Sequence, residues 1–371
     1  MVKTRTRRRW PWMVAALALF GAGAWLMSRD DPERPAPSWE RVEMPRHMRS
    51  EDRQRANARR LLPEPPPPPA VGEDPPFVPA RPRDPVLAAL PTEVKGGVVV
   101  VEANAIRHSP VGELMVECLL SRDDGASLKQ LRDQMGIDPL EAVDRVAMSE
   151  EGLVVSGHFG PAKWKEIFPE GGRAFGSEGT IYAPAVGSKE GGMRVAVWRD
   201  QVVIFADSDE QAELALDRIE GRGLHAPPVI DEHMTYGEIY GVLSAAQLAD
   251  MLPPDQKAIA DKLRDAAERI ELHVDTTRDV GVVADVRGPS GRDTKDLGKT
   301  LGAALAVGRL KAQAEGDADL AELLELARVV PGGDDFRLEL GLPLEFLQKH
   351  LKDCVDRNRE RRRSVEAQRE E

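Results

Sequence analysis

The side chains able to do chemistry are few and scattered. The chain has seven histidines, and the tightest grouping with other ligating residues is His225, Asp231, Glu232 and His233. A helical metal pair such as H-E-x-x-H places its ligands on one face, four residues apart. This grouping lacks that spacing, and Pro227-Pro228 marks the segment as a linker, so it reads as a solvated loop. His108, His158 and His273 stand alone, and His158, beside Phe159 in a strand pattern, reads as a half-buried hydrogen-bonded side chain. Glycines 171, 172, 176, 179, 187, 191 and 192 have the density of a phosphate loop. A phosphate loop must lead into a helix N-terminus, whereas residues 180–186 look extended, so a hairpin connection is expected. The sequence contains no G-x-S-x-G elbow, Ser-x-x-Lys pair or Walker loop. No catalytic, cofactor-binding or metal-ligating residue is assigned, and no cofactor is expected.

Cys118 and Cys354 are the only two cysteines, and each falls on the apolar stripe of a predicted helix. In an oxidising compartment they pair if those helices pack side by side; buried free thiols are the other outcome.

The elements that would position any site follow from composition. At 371 residues and 41% hydrophobic side chains, the chain can bury an ordinary core, and its length suits two domains. The formal net charge is −12 with both signs mixed, which argues against a nucleic-acid surface. Residues 1–9 carry Lys3, Arg5, Arg7, Arg8 and Arg9 without an acid, and a nearly unbroken apolar run follows at 10–27. At 1.5 Å per residue that run reaches about 27 Å, close to the thickness of a bilayer's hydrocarbon layer. Trp10, Trp12 and Trp25 sit where interfacial anchors would. The basic flank keeps residues 1–9 in the cytoplasm and sends the rest across the inner membrane into the periplasm. Ala22-Gly23-Ala24 resembles a signal-peptidase site, so cleavage after export stays open.

Residues 28–91 hold 16 of the 29 prolines, including Pro65 to Pro69, with few large apolar side chains. Such a stretch is expected to be a disordered linker, with 61–91 as a polyproline spacer of about 90 Å and a short helix somewhere in 41–60. From residue 98 the pattern is α+β. The first domain, 92–224, offers strands at 98–103, 143–148, 153–159, 195–198 and 202–206, and a helix opened by the capping box Ser208 to Gln211 and closed by Gly221. A linker at 225–235 leads to the second domain, 236–358, with strands at 236–243, 270–274 and 280–286 and helices at 253–266, 293–314 and 317–330. Phe336, Leu338, Leu340 and Leu342 alternate with Arg337, Glu339 and Gly341, which predicts a last strand with one wet face. Residues 359–371 form a charged tail. Both halves can be written β-α-β-β-α-β, the ferredoxin-like plan of an antiparallel sheet with helices on one face.

A single span, a Pro-rich spacer and paired α/β units together resemble uncharacterised envelope proteins of Gram-negative bacteria. The resemblance covers architecture and implies no functional residue. A tether with a rigid stalk sets location and reach more than turnover, so a non-catalytic binding or scaffold module is expected, with the lipid bilayer as partner through residues 10–27 and a protein partner in the envelope. A periplasmic enzyme acting on an envelope substrate is the alternative. The order anchor, stalk, small domain also resembles TonB-like transport accessories, although the folded region here is larger and the anchor lacks a polar coupling residue.

Overall fold

The computed structural model describes residues 42–60, 83–93, 96–121, 129, 132–168, 170–183, 193–222, 228–252, 257–349, 351 and 356. The apolar run 10–27, Pro65 to Pro69 and the charged tail lie outside these residues. Among the described residues, no helix is long and apolar enough to cross a membrane.

Twelve antiparallel strands make one sheet, in the order β11-β12-β10-β9-β8-β1-β2-β3-β7-β6-β5-β4. Their ranges are β1 Gly97–Val101, β2 Val143–Ser149, β3 Gly152–Gly157, β4 Gly172–Phe175, β5 Gly179–Tyr182, β6 Arg194–Trp198, β7 Val202–Ala206, β8 Ile239–Ser244, β9 Arg269–Asp275, β10 Val280–Arg287, β11 Ala327–Pro331 and β12 Asp335–Leu342. The principal helices are α1 Ser50–Ala58, α2 Pro85–Ala89, α3 Ala103–Arg107, α4 Pro110–Ser121, α5 Pro139–Ala142, α6 Trp164–Ile167, α7 Asp209–Glu220, α8 Ala245–Met251, α9 Lys257–Ala266, α10 Gly291–Glu315 and α11 Ala318–Glu325.

Local signals place most of these. Ser208 accepts from the backbone N–H of Gln211 at 3.3 Å, and Gly221 closes α7 at φ 71°, as the capping pattern predicts. Arg199 and Asp200 both take positive φ, 51° and 54°, which is the geometry of a two-residue turn matched to the twist of the β6–β7 hairpin. The expectation of two separate ferredoxin-like units is met only in its coarser terms, an antiparallel sheet with helices. In a split β-α-β unit the third strand inserts between the first two; here β1 pairs directly with β2 and β8 with β9, and β1 joins β8 so that both halves share one sheet. Outward from that seam the halves repeat one order, β1-β2-β3-β7-β6 and β8-β9-β10-β12-β11. The helix expected over 317–330 ends at Glu325, because Val329 and Val330 pair with Leu338 and Arg337 as strand β11. Part of the glycine-rich stretch forms the β4–β5 hairpin, while glycines 187, 191 and 192 lie outside the described residues.

Strand alternation gives the sheet two chemically different faces. On one face, Val155, Val195, Val197 and Val203 of the first half pack beneath Ile137 and Phe159. Ile270, Val286 and Phe336 of the second half pack, on that same side, beneath α8, α9 and α10. On the other face, Val98, Val100, Ala147, Val154, Ile204 and Ala196 are covered by α2 and α7. Past β8 this second face turns polar. Residues 83–91 therefore belong to the core and not to a linker: Val86 is fully buried and Leu90 is 1% exposed. Asp84 caps α2 through the N–H of Val86 at 2.9 Å, and Arg145 on β2 grips its carboxylate with two bonds of 2.6 and 2.7 Å.

Candidate functional site

Register carries the polar face across β8, β9, β10 and β12. Tyr240 lies opposite His273, His273 opposite Val283, and Val283 opposite Glu339. One register step away, Asp275 lies opposite Gly281, and Gly281 opposite Gly341. Glu238, just before β8, and Glu102, just after β1, complete a line of carboxylates over the sheet. Glu102, Glu238, Asp275 and Glu339 are 2%, 4%, 7% and 2% exposed, so none is a surface charge. The alternation that predicts a wet face on β12 is correct in polarity and wrong in solvent.

What covers this track is the segment 42–60, within the expected disordered linker. It runs across the strands from β12 toward β1. Val42 and Pro45 are buried over the two facing glycines: a Cβ on Gly281 would lie 2.6 Å from the carbonyl oxygen of Glu43, and one on Gly341 would lie 3.0 Å from the Cβ of Val42. Arg46 then pairs with Glu339 at 3.3 Å. Arg49 pairs with Asp275 at 2.6 Å and with Glu238 at 3.3 Å, and donates to the Thr277 hydroxyl at 2.9 Å. Arg55 reaches Asp52 and Glu238, and Arg59 closes a two-bond pair on Glu102, whose other donor is the Tyr240 hydroxyl at 2.9 Å.

Helix α1 is unusual in what it buries. Its sequence, SEDRQRANA, has no large apolar side chain, and its one buried residue is Asp52. A nine-residue helix of this kind is marginal in water, so docking must supply its stability. Asp52 serves both ends of the problem, accepting the Arg49 backbone N–H at 2.8 Å as a helix-start contact and holding the Arg49 and Arg55 guanidinium groups.

Charges in the track perturb one another. Burial works against the Arg49 and Arg55 cations, yet the surrounding carboxylates hold both above their ordinary pKa. Burial pushes the Glu238 carboxyl up, against the N–H of Thr276 and the two arginines, which pull it down. Burial raises the Tyr240 hydroxyl too, with Glu102 adding to the shift, so it stays a neutral donor.

His273 is 1% exposed, with its ring stacked on Tyr236 at 3.7 Å between centroids. Burial holds its pKa down at about 4, in spite of the bond to the Tyr236 carbonyl. The unfolded chain takes up this proton near pH 6.5 and the folded protein only near pH 4. The stability conferred by a neutral His273 is therefore complete above pH 6.5 and lost as pH falls through that window, a change on the order of 3 kcal/mol. Urea titrations of the wild type and His273→Phe between pH 7 and 4 check this: the variant's stability should fall less steeply, and parallel curves would refute the assignment.

The residues singled out in the sequence are elsewhere. Asp231, Glu232 and His233 lie on an exposed turn, where the His233 side chain is 78% exposed and Glu232 pairs with Arg60. His225 lies outside the described residues. Among the described residues no group of three or more His, Cys, Asp or Glu side chains is arranged to hold a metal. His158 is not half-buried but 83% exposed, facing Asp144, and His108 bonds back to the Asn104 carbonyl at 2.8 Å. Cys118 is disulfide-bonded; Cys354, the other cysteine of the sequence, lies outside the described residues. The track was missed because its carboxylates come from positions 102, 238, 275 and 339. The signal that could have found it is the run of arginines at 46, 49, 55 and 59 in a segment with few large apolar side chains, beside the alternating acids of β9 and β12.

Comparison with known families, curated proteins and solved structures finds no match. The arrangement must be read from its own chemistry. A general acid–base pair needs a carboxylate free to exchange a proton with a substrate. Here each acid of the track accepts from an arginine of the same chain, which makes the site a seat for guanidinium groups.

Proposed function

We propose that this chain is a single-span protein of the cell envelope, anchored in the inner membrane through residues 10–27, whose α/β body faces the periplasm as a binding or scaffold module and not as an enzyme. The observation that carries the non-catalytic part is the occupancy of the carboxylate track by the chain's own arginines. The anchor rests on the apolar run and its five basic neighbours, Lys3, Arg5, Arg7, Arg8 and Arg9. Docking of 42–60 alters the expected spacing. Between the end of the apolar run and the docked strap only residues 28–41 remain, at most about 50 Å of extended chain, so the body works close to its membrane and not at the end of a long stalk.

Reporter fusions after Glu371 test the topology. Alkaline phosphatase should be active there and a cytoplasm-dependent fluorescent protein dark; the opposite pattern would refute export. For the binding role, the full chain in detergent, used as bait on envelope extracts, should retain a specific protein that a denatured control does not. Recovery of none, from bait with intact circular dichroism, would count against a scaffold.

A further inference from the structure

The strap 42–60 is held largely by charge. Val42 and Pro45 are its buried apolar contacts, Met44 reaches over Gly341, and the arginine series on Glu339, Asp275, Glu238 and Glu102 makes the polar remainder. Buried ion pairs repay little beyond their desolvation, yet leaving one partner alone is costly. A strap of this kind gains little net by docking, because the carboxylates and guanidinium groups it buries would otherwise be hydrated, and Glu339 keeps Arg328 of β11 either way. The track thus fits a guanidinium-bearing strap without distinguishing which copy supplies it. The connection to the body does not impose one either. Residues 61–82, between Arg60 and the docked Arg83, amount to 22 residues with a contour of up to about 75 Å.

We propose that the carboxylate track is an interaction surface for a second copy of this chain, which it engages by strap exchange: the 42–60 segment of one protomer seats on the Glu102–Glu238–Asp275–Glu339 line of its partner. The ligand is known to fit, since each track holds that very segment in cis. Exchange of an identical element conserves every contact and is a low-cost route to dimers. Cis docking is favoured at low density by its effective concentration, and crowding of copies shifts the balance to trans. The proposal deepens the binding role above by naming its partner, and does not depend on which side of the membrane the body occupies.

Complementary full-length variants test it. One copy carries Gly281→Val with Glu238→Gln, which spoils its track and frees an intact strap. The other carries Arg49→Glu with Arg55→Glu, which spoils its strap and leaves its track open. Mixed in detergent with different tags, they should co-purify at least tenfold above either variant mixed with itself, and 0.5 M salt should weaken the pair. A second measurement covers misfolding. Val42→Cys in one tagged copy and Gly341→Cys in the other, co-expressed, should give a disulfide-linked heterodimer, because a Cβ at 341 lies 3.0 Å from that of Val42 in the docked state, a few tenths of an ångström inside the roughly 3.5–4.5 Å of a disulfide and reached by a small shift of the strap. No co-purification, together with a Val42→Cys/Gly341→Cys double variant that closes only within one chain, would overturn exchange and leave the cis strap standing. No closure in either arrangement would overturn the docked strap itself.

Discussion

Replacing Arg145 with methionine is expected to destabilise the fold by about 3–5 kcal/mol, the range found when one partner of a buried ion pair is removed. Arg145 is 3% exposed and makes a two-bond grip on Asp84, which is 9% exposed. The carboxylate also caps α2, whose Val86, Leu87, Ala89 and Leu90 fill the core between β1, β2 and α7. Burial opposes the arginine's charge, but Asp84 more than offsets it and holds the guanidinium well above its ordinary pKa. Without that cation, Asp84 keeps only the α2 N–H groups in a site that excludes water. Urea unfolding followed by circular dichroism measures the loss, read as a lower midpoint at unchanged slope. The double variant Asp84→Asn/Arg145→Met should regain most of the stability, since asparagine caps a helix about as well as aspartate without its charge. A loss below about 1 kcal/mol in the single variant would mean that Asp84 finds water, and that the 83–91 segment is not locked as described.

Gly281→Val should release the strap while leaving the sheet intact. Valine has the higher strand propensity, so a local effect on β10 would be mild or favourable. The new Cβ, however, meets the Glu43 carbonyl oxygen at 2.6 Å, and a backbone atom cannot rotate away. The start of the strap must lift, and with it goes the alignment that brings Arg46 to Glu339 and Arg49 to Asp275. Limited trypsin digestion checks this at Arg49, Arg55 and Arg59, whose side chains are 25%, 25% and 21% exposed in the docked state. Cleavage there should accelerate at least tenfold in the variant while the rest of the chain resists as before. Unchanged cleavage would show that the arginine pairs hold the strap without its glycine floor.

Sequence alone determined the parts whose cause is local. Strands β2, β3, β6, β7, β9 and β10 were readable from short runs rich in β-branched and other apolar side chains, and α7 from Ser208, Gln211 and Gly221, because caps and turns act over four or five residues. The sharp shift at residue 98 to a mixed α/β pattern was readable as well. Tertiary structure decided the rest. Only pairing shows that β1 joins β8, which makes one sheet of two repeated halves, since a strand's edge carries no mark of its neighbour. Only the sheet brings Glu102, Glu238, Asp275 and Glu339 into line. The strap was invisible for a sharper reason. Reading a sequence for burial counts large apolar side chains, and SEDRQRANA has none to count; it packs because charge complementarity on a covered sheet face replaces hydrophobic burial, and that complementarity exists only once the strands have met.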